Sequence, residues 1–147
     1  MTRYGYSIFC DDIRNEVGGK LSFIGCYNSV MFVPASGPCI LPKFCVHSNI
    51  VSSADHPLPS VVLRCYCPGD LDPIFEEKIE TPVIKEQKKL VSKLEREHSA
   101  PRLIVASASL LLSPFEINGP GLISMRAFID DMTYELPLGS LRVVVSG

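Results

Sequence analysis

Aspartates stand in pairs along this chain: Asp11-Asp12, Asp70 with Asp72, and Asp130-Asp131, which we place in turns or at strand ends. Carboxylates drawn from separate loops to one end of a β-sandwich can hold calcium, a hard cation that takes roughly six to eight oxygens. Asp11, Asp12, Asp130 and Asp131 are therefore the candidate calcium ligands of a C2-like loop binder. The condition is that the first turn and the last hairpin meet at one end. Aspartate also favours turns for backbone reasons of its own, and within any one loop the spacing matches no calcium motif. Calcium is the one cofactor the sequence brings into view.

The thiols are the next candidates. Cys65-Tyr66-Cys67 puts two sulfurs on one face of a strand, with Cys39, Cys45 and His47 as possible neighbours. Structural zinc sites usually take ligands from turns with two or more intervening residues, so buried cysteines on a core face are the favoured reading. A Cys–His nucleophile built on His47 lacks a local group to orient it. A hydrolase with a loop-borne site of Asp, His and Cys ranks lowest, because His56 and His98 sit in turn-like segments near proline. Gly18-Gly19-Lys20 invites a phosphate-loop reading, but Arg14 stands where the first glycine belongs and Leu21 where Ser or Thr would meet magnesium. A hairpin turn fits those glycines better.

Charge narrows the partners. With 14 basic against 16 acidic residues, the chain has no bulk field for nucleic acid. Lys85, Lys88, Lys89, Lys93 and Arg96 could make a basic helix face, but Glu86, Glu95 and Glu97 dilute it, and a solvated helix is the simpler reading. The longest uncharged apolar run, Leu103 to Phe115, is too short to cross a bilayer and is broken by Ser and Pro. The first residues lack the apolar stretch of a secretory signal. Together these predict a cytoplasmic protein whose six cysteines are reduced, small and buried.

Alternating apolar and polar residues must position all of this. Tyr4 to Cys10 and Lys20 to Tyr27 read as two arms of a hairpin reaching to Val33, turning at Gly18-Gly19. Phe44 to Val51, Val61 to Cys67 and Ile74 to Ile79 read as further strands, the last an exposed edge guarded by Glu76, Glu77 and Lys78. Ile84, Leu90, Val91 and Leu94 recur at helical spacing, which predicts a short helix over 85–97. Leu103 to Leu112 is apolar on both faces, as expected of a central strand covered on both sides or of a subunit contact. Gly119-Pro120-Gly121 turns the chain into a second hairpin that reverses at Asp130-Asp131-Met132, and Thr133 to Leu136 and Leu141 to Val145 close the domain with a kink at Pro137-Leu138-Gly139. Twelve prolines and ten glycines supply the turns. The expected fold is a single-domain antiparallel β-sandwich over 1–147, C2- or immunoglobulin-like, of about seven to nine strands. A partly open barrel is the alternative.

The run Phe9-Cys-Asp-Asp-Ile-Arg-Asn-Glu-Val-Gly-Gly-Lys-Leu-Ser-Phe-Ile-Gly25 resembles the opening of a family of uncharacterised bacterial and prophage proteins. Ser113 to Arg126, with its Pro-Phe and Pro-Gly marks, is similar to that family's C-terminal half. The resemblance implies a small stand-alone domain and transfers no catalytic residues. The functional expectation is a non-enzymatic binding or assembly domain that engages a protein partner or itself through a sheet face or edge. Tyr66 and Phe128 are the aromatics expected at exposed edges.

Overall fold

The computed structural model describes residues 3–81, 84–95 and 103–146, without the side chains of residues 91, 94 and 95. In chain order the elements are β1 (Arg3–Asn15), β2 (Leu21–Cys26), β3 (Val30–Pro34), β4 (Cys39–Leu41), β5 (Phe44–Ser53), β6 (Val61–Tyr66), β7 (Phe75–Ile79), α1 (Ile84–Glu95), β8 (Leu103–Leu112), β9 (Phe115–Ile117), β10 (Gly121–Ile129) and β11 (Tyr134–Ser146). They build a four-stranded sheet ordered β2-β1-β5-β8, a five-stranded sheet ordered β3-β11-β10-β6-β7, and a small ribbon of β4 with β9. The fold is a sandwich of these sheets and not a closed barrel.

The first hairpin forms as its glycines dictate. Gly18 and Gly19 take φ of 86° and 72°, and Glu16 N–H donates to Lys20 O at 2.7 Å across the turn. Its arms differ from the expectation in one respect: β1 runs on through Asp11 to Asn15, so Asp11 and Asp12 lie within a strand and not in a turn. Val30 to Pro34 also leaves the hairpin. It crosses to the other sheet as β3 and pairs in parallel with β11, Val30 opposite Arg142 and Val33 opposite Val145.

Period-two alternation fills the space between the sheets. From one side come Phe9, Phe44, Val46, Ile50 and Leu110. Leu63, Ile123, Met125, Ile129 and Leu141 come from the other. Each such side chain contributes about 2 kcal/mol by leaving water. Phe44 stands at the centre of an aromatic stack, its ring 4.8 Å from Phe115, 5.9 Å from Tyr27 and 6.2 Å from Phe9. At Gly5 the sheets approach so closely that a Cβ would collide with the Leu138 side chain and the Asn49 carbonyl.

Two expectations are corrected here. Leu103 to Leu112 is the edge strand β8, and the strand covered on both faces is its neighbour β5, nine of whose ten residues are buried. Tyr66 and Phe128 lie on the inner strands β6 and β10 of the five-stranded sheet, half-buried beneath arginines. The helix appears over 84–95, and residues 96 and 97 lie outside the described residues. Gln87 is one point at which it docks. Ile84 and Leu90 are exposed, whereas the buried Gln87 amide accepts from Leu58 N–H at 2.8 Å and donates to Leu58 O at 2.7 Å.

Candidate functional site

The acidic pairs do not share one site. Asp12 accepts from Lys43 Nζ at 2.6 Å and lies 3.9 Å from Arg14 Nε, so Lys43 holds its carboxyl below the usual carboxylate range. Asp11 accepts from the Tyr27 hydroxyl at 2.8 Å, which together with burial pushes that phenol upward. Asp130 and Asp131 stand at the far end of the molecule. Asp131 Oδ1 accepts from Ser60 Oγ at 3.1 Å, and the flanking Ile129 and Tyr134 line one cleft with Arg3. Arg3 opens β1, and Asp11 lies about 25 Å further along it at the normal strand rise. Asp70 closes a turn, its N–H donating to Cys67 O at 3.1 Å. Among the described residues no three His, Cys, Asp or Glu side chains converge on a metal-sized space.

The thiols are all free. Cys65 is buried with its thiol pushed up to about 12, as expected of a core side chain, and Cys67 is half-buried at about 11. Cys10 and Cys45 are buried neighbours across β1 and β5, whereas Cys26, opposite Cys10, is exposed and so departs from the expected burial. His47 meets neither a thiol nor a carboxylate. Its Nδ1 lies 2.8 Å from Ser109 Oγ and its ring 5.3 Å from that of Phe23. The lysines of α1 are exposed, and residues 96 and 98 lie outside the described residues.

What the fold does assemble is a surface. On the outer face of the four-stranded sheet, cross-strand partners point the same way. Tyr4 lies beside Val51 and Val105, Tyr6 beside Asn49 and Ser107, and Ile8 beside His47 and Ser109. Leu111 lies beside Cys45, with Cys10 on its far side. None of these side chains is acidic or a permanent cation. Part of this face is covered: Phe23 of β2 reaches to 5.3 Å, ring to ring, from His47, and Gln87 of α1 lines a cleft with Val105 and Ser107. The β5 row is buried and forms a floor between two walls: Tyr4 and Tyr6 on one side, Leu103, Val105 and Leu111 on the other, the last three 57–60% exposed. Two hydrogen bonds hold β8 to that floor, His47 with Ser109, and Ser107 Oγ donating to Asn49 Oδ1 at 2.6 Å.

The four sheet edges differ in how they are guarded. β7 carries Glu76, Glu77 and Lys78; β3 is short and ends in Pro34; β2 is interrupted by Gly25 at φ 67°, packed against the Asp11 side chain. Each device discourages further pairing. β8 carries none in its own sequence: it has ten residues, uncharged, without Gly or Pro, and no strand beyond it among those described, while Gln87 of α1 and Ile79 to Thr81 line a cleft against its Ile104 to Ser107. Sequence reading found the two apolar faces of this segment but not its place at the edge. That place depends on which strand β5 pairs with, and alternation alone does not encode pairing order.

The chain matches no protein-family model and no curated protein. No described helix is long and apolar enough to cross a membrane.

Proposed function

We propose that this chain is a non-catalytic recognition module that takes an extended protein segment onto β8 and the apolar outer face beside it. The observation that carries the reading is the contrast between β8 and the three guarded edges. A long unguarded edge offers a row of backbone donors and acceptors, and strand addition to such an edge is a recurrent mode of protein recognition. The exposed Leu103, Val105, Leu111, Tyr4 and Tyr6 supply the side-chain contacts, and apolar area removed from water contributes about 25 cal/mol per Å².

Amide exchange followed by NMR in dilute solution tests the edge. Amides of β8 that point away from β5 are expected to exchange rapidly while those of β5 stay protected. A displayed library of short random peptides tests recognition. Enrichment of uncharged, β-branched and leucine-rich sequences is expected, with binding lost in Val105→Lys. Protected edge amides in the dilute protein, or no enrichment, would end the reading.

A further inference from the structure

We infer that the segment received by β8 is the same strand of a second copy, the two pairing antiparallel about a two-fold axis through Ser107. This deepens the reading of β8 as a recognition edge and rests on it. A two-fold interface must be self-complementary: where one residue meets a second across the axis, the second meets the first. With the axis perpendicular to the sheet at Ser107, Leu103 faces Leu111, Ile104 faces Leu110, Val105 faces Ser109, and Ala106 faces Ala108. The run Leu-Ile-Val-Ala-Ser-Ala-Ser-Leu-Leu thus reads nearly the same in size from either end: large residues at the margins, small ones at the axis.

Faces are conserved in this arrangement. Odd-numbered residues, on the outer face, meet only odd-numbered ones, and core-side residues meet core-side ones. The absence of charge matters most at the axis, where a Lys or Glu would lie next to its own like charge in the other copy. The product is one continuous eight-stranded sheet, ordered β2-β1-β5-β8 and then β8-β5-β1-β2 of the second copy. It places the exposed Leu103 of each copy over the exposed Leu111 of the other.

Sedimentation of the full chain from about 1 µM to several hundred µM provides the test, because self-association is governed by mass action. The expected result is a doubling of mass, with the outward amides of β8 gaining protection over the same range. Ser107→Lys and Ser107→Glu each set like-charged side chains on facing backbone positions about 5 Å apart at the axis and should stay monomeric. An equimolar mixture of the two should recover the doubled mass, a rescue that misfolded variants cannot give. A dimer indifferent to Ser107→Lys overturns the proposal. So does a monomer at every concentration whose edge amides exchange freely, an outcome that leaves β8 open to a strand of another protein. Edge amides protected in the dilute monomer overturn both this inference and the reading beneath it.

Discussion

His47 shows how one buried ring can make stability depend on pH. Burial disfavours the imidazolium and lowers its pKa from the ordinary 6.5, a shift that a hydrogen bond with Asn49 partly offsets. The unfolded chain therefore binds a proton more readily than the native one. The stability this ring contributes is complete above about 6.5 and is lost as pH falls toward the folded-state value. Urea unfolding should show a lower midpoint at pH 5 than at pH 7, and His47→Gln should flatten that difference. Met132 carries strain of a different kind. It follows Asp130 and Asp131 in the left-handed region, with φ of 71°, and its side chain is exposed. Met132→Gly should raise stability by about 1 kcal/mol in the same assay, because glycine has no Cβ to crowd the following carbonyl. On the outer face of the five-stranded sheet, Arg64 and Arg126 lie directly opposite each other, a pairing that repels. Each turns onto a diagonal aromatic, Arg64 4.7 Å from the Phe128 centroid and Arg126 4.5 Å from that of Tyr66, with Glu76 and Glu135 beside them. A double-mutant cycle of Arg64→Ala with Phe128→Leu should return a coupling of about 0.5–1 kcal/mol.

At the scale of elements, α1 is tied to the sandwich by Gln87. Its side-chain amide makes two hydrogen bonds to the backbone of the buried Leu58. Gln87→Ala leaves that N–H and C=O unsatisfied, at a penalty of about 1–3 kcal/mol for each buried group. Amide exchange should then quicken across α1 while β5 and β10 keep their protection. The helix was legible from the spacing of Ile84, Leu90, Val91 and Leu94; its anchor was not, because a glutamine in a charged stretch reads as solvent-facing. The strands were legible where one face is apolar and the other polar, as in β6 and β10. β4 and β9 escaped notice, since three-residue strands carry no period. The acidic pairs were legible as residues, but β1 continues through the first pair. A segment dense in Asp and Arg reads as loop unless its partner strand is known.

For the molecule as a whole, the length of β1 between Arg3 and Asp11 sets Asp11 apart from the Asp131 end, which argues against one calcium site built from both. Millimolar calcium should leave the thermal midpoint unchanged, since a ligand held only by the native state must raise it. Core integrity, by contrast, passes through one ring. Phe44→Ala should lower stability by about 3–5 kcal/mol in urea melts, because it empties the centre of the aromatic stack. The parallel pairing of Val30–Pro34 with Arg142–Ser146 bears on how the polypeptide is made. Adjacent arms such as β1 and β2 can zip together soon after they leave the ribosome. β3 has to wait until nearly all the intervening sequence has been translated before its neighbour emerges. Contacts so distant along the chain slow collapse, so the nascent domain spends most of its synthesis with half its sandwich unclosed and in need of shielding.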